Sequence, residues 1–182
     1  MQEQLAELNA EFNSALVRLR RLQKDVPESA WSRRPDPGRW SPGECVAHLN
    51  LTSAAMIPLL RRGLDEARRT GLAPTSRYRR DLLGWLLWKS LGPGWFKVKT
   101  IAAFVPSGDR SPGEIVAEFE RLQSEQLACV NEAEGLPIHR IKIVSPFDAR
   151  VRYNVFSALS ILARHQHRHL WQAEQAARLV GG

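Results

Sequence analysis

Cysteine is scarce. Cys45 and Cys129 are the only two in 182 residues, too few for a disulfide framework, and no Cys-x-x-Cys pair offers a zinc ribbon or a redox couple. Long apolar runs are also missing. The greasiest stretch, 82–91, is broken by Gly84, Lys89 and Ser90 and falls far below the roughly 20 apolar residues a membrane span needs. The first residues (Gln2, Glu3, Gln4, Glu7) are polar and acidic, without the basic-then-apolar order of a secretory leader. The expectation is one domain over residues 1–182, in the cytoplasm, with a small-molecule substrate and no membrane partner.

Acid is in deficit: 19 Asp and Glu stand against 26 Lys and Arg, a net charge of +7. Such a balance can attract nucleic acid. The arginines are scattered, however, and no recognition-helix, zinc-finger or RNA-binding signature accompanies them. A solvated basic surface is the expectation, with no nucleic-acid partner.

What the chain has in plenty is helical periodicity. Leu5, Leu8, Phe12, Ala15, Leu16, Leu19 and Leu22 form an apolar stripe over 4–24, ended by Pro27 and the breaker stretch Arg34-Pro35-Asp36-Pro37-Gly38. Ser41-Pro42-Gly43-Glu44 opens a second helix with the elements of a capping box, and Pro58 inside it should bend it or split off its last turns. The same signal returns at Ser111-Pro112-Gly113-Glu114 and starts a third helix over 112–134, with Ile115, Phe119, Leu122, Gln126 or Leu127, and Val130 inward. The shared Ser-Pro-Gly-Glu-x-Val-Ala reads equally as a duplication remnant or as two good caps; His48 in one copy is Glu118 in the other. A fourth helix spans 154–179, with Asn154 as a cap, and 138–144 alternates apolar and basic residues as a short extended piece would. Four long amphipathic helices predict an all-α, antiparallel four-helix bundle. Between the second and third lies an extra short helical or loop insertion, 78–106, with Trp85, Trp88, Trp95 and Phe96 and a hinge at Gly92-Pro93-Gly94. It is too apolar for an exposed connection, and should either cap the bundle or form a homodimer contact.

Three of the five histidines fall within five residues: His165, His167 and His169. His165 and His169 are i and i+4 on one helical face with Ala158, Leu162, Gln172 and Ala176, whereas His167 points elsewhere, with Arg164, Glu174 and Arg178 toward water. Two inward imidazoles with no adjacent acid need a partner. An isolated i, i+4 pair is more often incidental than ligating. The weighing changes with His48, on a second helix whose apolar side (Cys45, Leu49, Thr52, Met56) also faces the core. Together they make a three-nitrogen set with an open coordination position.

The segments around these histidines resemble a known family. Trp40-Ser-Pro-Gly-Glu-Cys-Val-Ala-His48-Leu49 is similar to the DinB-like tryptophan and ligand histidine at the mouth of the second helix. His165-Gln-His-Arg-His169-Leu-Trp-Gln172 is similar to its last-helix motif, and Lys97-Val-Lys-Thr-Ile-Ala-Ala-Phe104-Val-Pro106 and Ser145-Pro146-Phe147 resemble segments of the second-type branch. The resemblance implies an up-down-down-up bundle and a divalent metal, nickel or zinc, on His48, His165 and His169. It also implies S-transfer or detoxification chemistry with a low-molecular-weight thiol cosubstrate such as bacillithiol or mycothiol, and favours some homodimer. Many relatives carry paired histidines followed by arginine and glycine where this chain has Arg168-His169-Leu170-Trp171. A metal-dependent hydrolase and a non-catalytic metal-binding stress-response protein are the alternatives.

Among other candidates, Gln172 can orient His169 or a bound water, and Glu118 is a candidate acid or base against the plainer solvated glutamate. Arg39 and Arg168 are candidates for binding an anionic cosubstrate at the mouth. Cys45, one turn before His48, is either a fourth ligand or low-pKa thiol, or a small core residue. His139 is expected to be exposed or a local hydrogen-bond partner.

Overall fold

The computed structural model describes residues 1–73, 75, 77–92, 100–107 and 110–181. Helix α1 (Glu3–Asp25) forms where the stripe predicts, and Leu5, Leu8, Phe12, Ala15, Leu19 and Leu22 are all buried. Pro27 then leads into a single turn, α2 (Glu28–Trp31), unforeseen in the sequence, which tucks Trp31 into the core.

Helix α3 (Pro42–Arg69) starts on a full capping box: the Ser41 hydroxyl accepts from the Glu44 amide at 3.1 Å, and the Glu44 carboxylate accepts from the Ser41 amide at 2.8 Å. Of the two outcomes expected of Pro58, a bend or a split, the split does not occur: the helix runs unbroken past it. Pro58 and Ala54 are both exposed, so the carbonyl left without its amide lies on the solvent side, where water can satisfy it. Helix α5 (Pro112–Glu132) repeats the box with Ser111 and Glu114. It ends two residues earlier than expected, ahead of Gly135, whose φ of +74° suits glycine best.

Helix α6 (Val155–Val180) is capped by the Asn154 side chain, which accepts from the Ser157 amide at 2.7 Å. The extended piece expected over 138–144 shrinks to β1 (Lys142–Val144). It pairs antiparallel with β2 (Arg152–Asn154), Ile143 opposite Tyr153, a strand too short to leave an alternation in the sequence. The insertion contains α4 (Leu82–Ser90), capped by Asp81, and a 3-10 turn at Ala102–Phe104. Trp95, Phe96, Pro93-Gly94 and Lys97-Val98-Lys99 lie outside the described residues.

The fold is mostly helical. Helices α3 and α1 each pack against both α5 and α6. Contacts between α3 and α5 advance in the same sense, from Asn50 with Ile115 (2.8 Å) through Arg61 with Glu125 (3.3 Å) to Arg68 with Glu132 (2.6 Å). Those between α1 and α6 also run together, Glu11 with His167 (2.8 Å) and Arg18 with Glu174 (2.9 Å). The α1 and α5 pair runs opposed, Asn9 with Asn131 (2.8 Å) and Arg20 with Glu120 (2.8 Å).

These contacts correct one expectation about α6. Of the four residues assigned to water, only Arg178 is exposed. His167 and Glu174 lie against α1, and the Arg164 guanidinium sits 3.9 Å from the centre of the Trp88 ring on α4. A helix flanked on both sides has little polar face left to solvate. The core falls into two halves, one around Phe12, Leu60, Tyr78 and Tyr153, the other around Leu19, Trp31, Leu49 and Phe119. Along α5 and α6 the stretch between them is taken by three buried glutamines, Gln123, Gln126 and Gln166.

Candidate metal centre

His165 and His169 stand one turn apart on α6, and α3 brings His48 against them. One ligand nitrogen from each lies within 4.8 Å of the others. The ring centres are 4.4 Å (His165 to His169), 4.5 Å (His48 to His169) and 5.1 Å (His48 to His165) apart.

The orientation of His48 follows from its neighbour. Its Nδ1 lies 2.8 Å from the Phe104 carbonyl, which can only accept, so Nδ1 carries the hydrogen and Nε2 keeps its lone pair. That Nε2 is 3.3 Å from Nε2 of His165. Imidazole nitrogens about 2.0–2.1 Å from a tetrahedral metal stand roughly 3.3–3.4 Å from each other. The spacing of the His48 and His165 donors therefore fits a divalent ion. The carbonyl that sets this tautomer comes from the 3-10 turn of the insertion, and no local motif announced it. Thr52 was likewise not foreseen as a support; its hydroxyl donates to the His48 carbonyl at 2.9 Å.

Trp40 roofs two of the three rings, 4.9 Å from His48 and 6.0 Å from His169 between centres. Gln172 stands three residues after His169 on α6, and its side chain acts on that imidazole in the direction opposite to burial, raising its pKa. Nδ1 of His165 and of His169 are both enclosed, and neither has a hydrogen-bond partner on the protein. Orphaned polar atoms of this kind are costly, which makes the cluster poorly suited to being mere core.

Burial is the main force on the acid–base chemistry here. It lowers His165 to about 3, helped by repulsion from His48 and Arg168, and pushes His169 well below its ordinary value. His48 is lowered by burial too, against an opposing bond to Phe104. All three are neutral at pH 7, the state a metal ligand needs. The unfolded chain takes up protons below the ordinary value of 6.5 that the folded cluster refuses. The metal-free fold is thus at full strength above 6.5 and weakens as pH falls from there toward about 3. Its melting temperature, followed from about pH 7 to about pH 4, should drop, and His165→Gln should flatten that slope. An equally steep slope in the variant would contradict this account.

The remaining candidates divide. Arg168 is half-buried beside the cluster, its Nη1 donating to the Ser90 carbonyl at 3.3 Å. Arg39 is exposed and ion-paired with Asp36 at 2.9 Å, and Glu118 is paired with Arg110. Cys45 is buried in the core, where desolvation pushes its thiol up to about 12, so it is no low-pKa thiol. His139 is half-buried with an unpartnered Nδ1, and its backbone carbonyl, not its ring, accepts from Asn154 at 2.9 Å.

The fold and this cluster define a helical protein whose facing helices carry three neutral imidazoles, His48 buried and His165 and His169 half-buried, able to hold a metal ion. The chain matches the DinB superfamily over residues 11–173, nearly its whole length, and belongs to that family. No curated protein and no solved structure matches it.

Proposed function

We propose that the protein is a metal-dependent enzyme holding a divalent ion, nickel or zinc, on His48, His165 and His169, and transferring a low-molecular-weight thiol to small electrophiles. The convergence of three neutral imidazoles with no carboxylate among them carries the reading. Such a donor set leaves the ion its full charge and, with three protein ligands, an open position. A divalent ion held there supplies Lewis acidity, favouring the deprotonated form of a thiol placed beside it.

This chain's own residues then have distinct tasks. The Phe104 carbonyl holds the His48 tautomer, Gln172 holds the His169 ring, and Trp40 keeps bulk water from two of the imidazoles. Arg168, beside the cluster, attracts an anionic group on the cosubstrate. In the transfer the thiolate sulfur forms a bond to the electrophilic carbon as the leaving group departs with its electron pair, and the thiol proton passes to solvent. An up-down-down-up order of α1, α3, α5 and α6 belongs to the same proposal, supported by the senses in which their contacts run.

Cobalt-substituted protein tests the reading. A small thiol should add a sulfur-to-metal charge-transfer band, and activity toward small electrophiles should require both metal and thiol. A cobalt spectrum unmoved by saturating thiol would remove the basis for transfer chemistry and leave hydrolysis as the enzymatic reading.

A further inference from the structure

Helix α4 is inverted for a surface helix. At 100° per residue its exposed arc runs from Trp85 through Lys89, Leu82 and Leu86 to Leu83, while the inward side is Gly84 with the half-buried Leu87 and Trp88. Leu82 is 74% exposed and Leu86 49%. The smallest residue faces in because the space is taken: a Cβ on Gly84 would stand 2.3 Å from that of Ser157. Leu82, Leu83, Trp85 and Leu86 are left in water, contrary to ordinary amphipathic order.

Cations surround this face. The Lys89 ammonium lies 4.9 Å from the centre of the exposed Trp85 ring, while the half-buried Arg80 guanidinium packs behind the face, 4.2 Å from the centre of the inward Trp88 ring. Arg77 and Arg79 are exposed on the approach to the helix. Across 77–92 these four basic side chains face a single acid, Asp81, which already accepts from the Gly84 amide and pairs with Lys142 at 3.8 Å.

Leucine and tryptophan outward, rimmed by lysine and arginine, is the chemistry of a helix that lies in the interface of an anionic bilayer. We propose that α4 docks this protein on an anionic lipid surface, with Leu82, Leu83, Trp85 and Leu86 in the headgroup–acyl boundary and Arg77, Arg79 and Lys89 on the phosphates. Charge favours lipid over a second copy, since packing α4 on α4 would set like charges together. Nucleic acid would satisfy the cations but leave the leucines wet. Docking differs from crossing; no helix among the described residues is long and apolar enough to cross a membrane. This proposal runs against the sequence-based expectation of no membrane partner.

Co-sedimentation of the full chain with phosphatidylcholine vesicles, alone or mixed with phosphatidylglycerol, tests this. The protein should partition onto the mixed vesicles at least about tenfold more strongly than onto neutral ones, and added salt should weaken the binding. L82E/L86E, at exposed positions and checked for an unchanged helical spectrum, should abolish binding, and Lys89→Glu should weaken it about fivefold or more. No preference for anionic vesicles, or unchanged binding by L82E/L86E, overturns the proposal. So does a wild-type dimer that L82E/L86E dissociates, because the face is then covered by a second copy.

Discussion

His48→Ala, His165→Ala and His169→Ala should each lose most of the bound metal, and His167→Ala should retain it. Loss of an outer-sphere partner alone costs roughly 10–100-fold in affinity, so removal of a ligand should cost at least about 100-fold. His167 serves as the control because it sits on the same helix but turns to α1, where Nε2 lies 2.8 Å from a Glu11 carboxylate oxygen. Gln172→Ala should fall between, weakening binding about tenfold through His169. Metal content of freshly purified protein, with chelator competition on the reloaded form, measures all five variants. Equal metal in wild type and His169→Ala would end the three-histidine assignment.

Gln166→Leu should destabilise the fold by about 2–4 kcal/mol, since each buried acceptor left unpaired costs about 1–3 kcal/mol. Gln166 is fully buried, and its amide donates to Gln123 at 2.8 Å and to Gln126 at 2.9 Å. Gln123 returns a bond to Gln166 at 3.1 Å and also reaches the Phe12 carbonyl. The substitution leaves the side-chain oxygens of Gln123 and Gln126 without those donors, deep between the two apolar halves. Urea unfolding reads the loss as a lower midpoint at unchanged slope. Q123L/Q166L should recover part of it, because removing Gln123 as well leaves, of those two oxygens, only that of Gln126 without its donor. A Gln166→Leu protein as stable as wild type would show that the glutamine layer contributes nothing net.

That layer marks where sequence reading stops. Of the three glutamines the helical pattern places only Gln126 inward, and then as an alternative to Leu127. A buried amide looks like a surface amide until its partner is known, and the partner of Gln166 lies on α5, 43 residues away. Phe104 is a similar case. Its contribution is a backbone carbonyl, which any residue type would supply, so no side-chain pattern could have revealed it. The fate of Pro58 also needed the fold, for the cost of a helical proline depends on whether the freed carbonyl meets water or protein.

The sequence by itself determined the long helices, their caps and the three histidines. These are local matters: the 3.6-residue period, Ser-Pro-Gly-Glu and Asn154 at helix starts, and the i, i+4 spacing of His165 and His169 are all written within a few turns of chain. Only the tertiary structure decided which nitrogen of His48 is free and that Glu118 and Arg39 are held by Arg110 and Asp36. It alone decided that α4 turns its leucines outward. The His48 and α4 outcomes depend on neighbours distant in sequence, the Phe104 carbonyl and Ser157 beneath Gly84, while the two ion pairs are short-range but set by how the chain turns, and a one-dimensional pattern carries no record of which side chains meet.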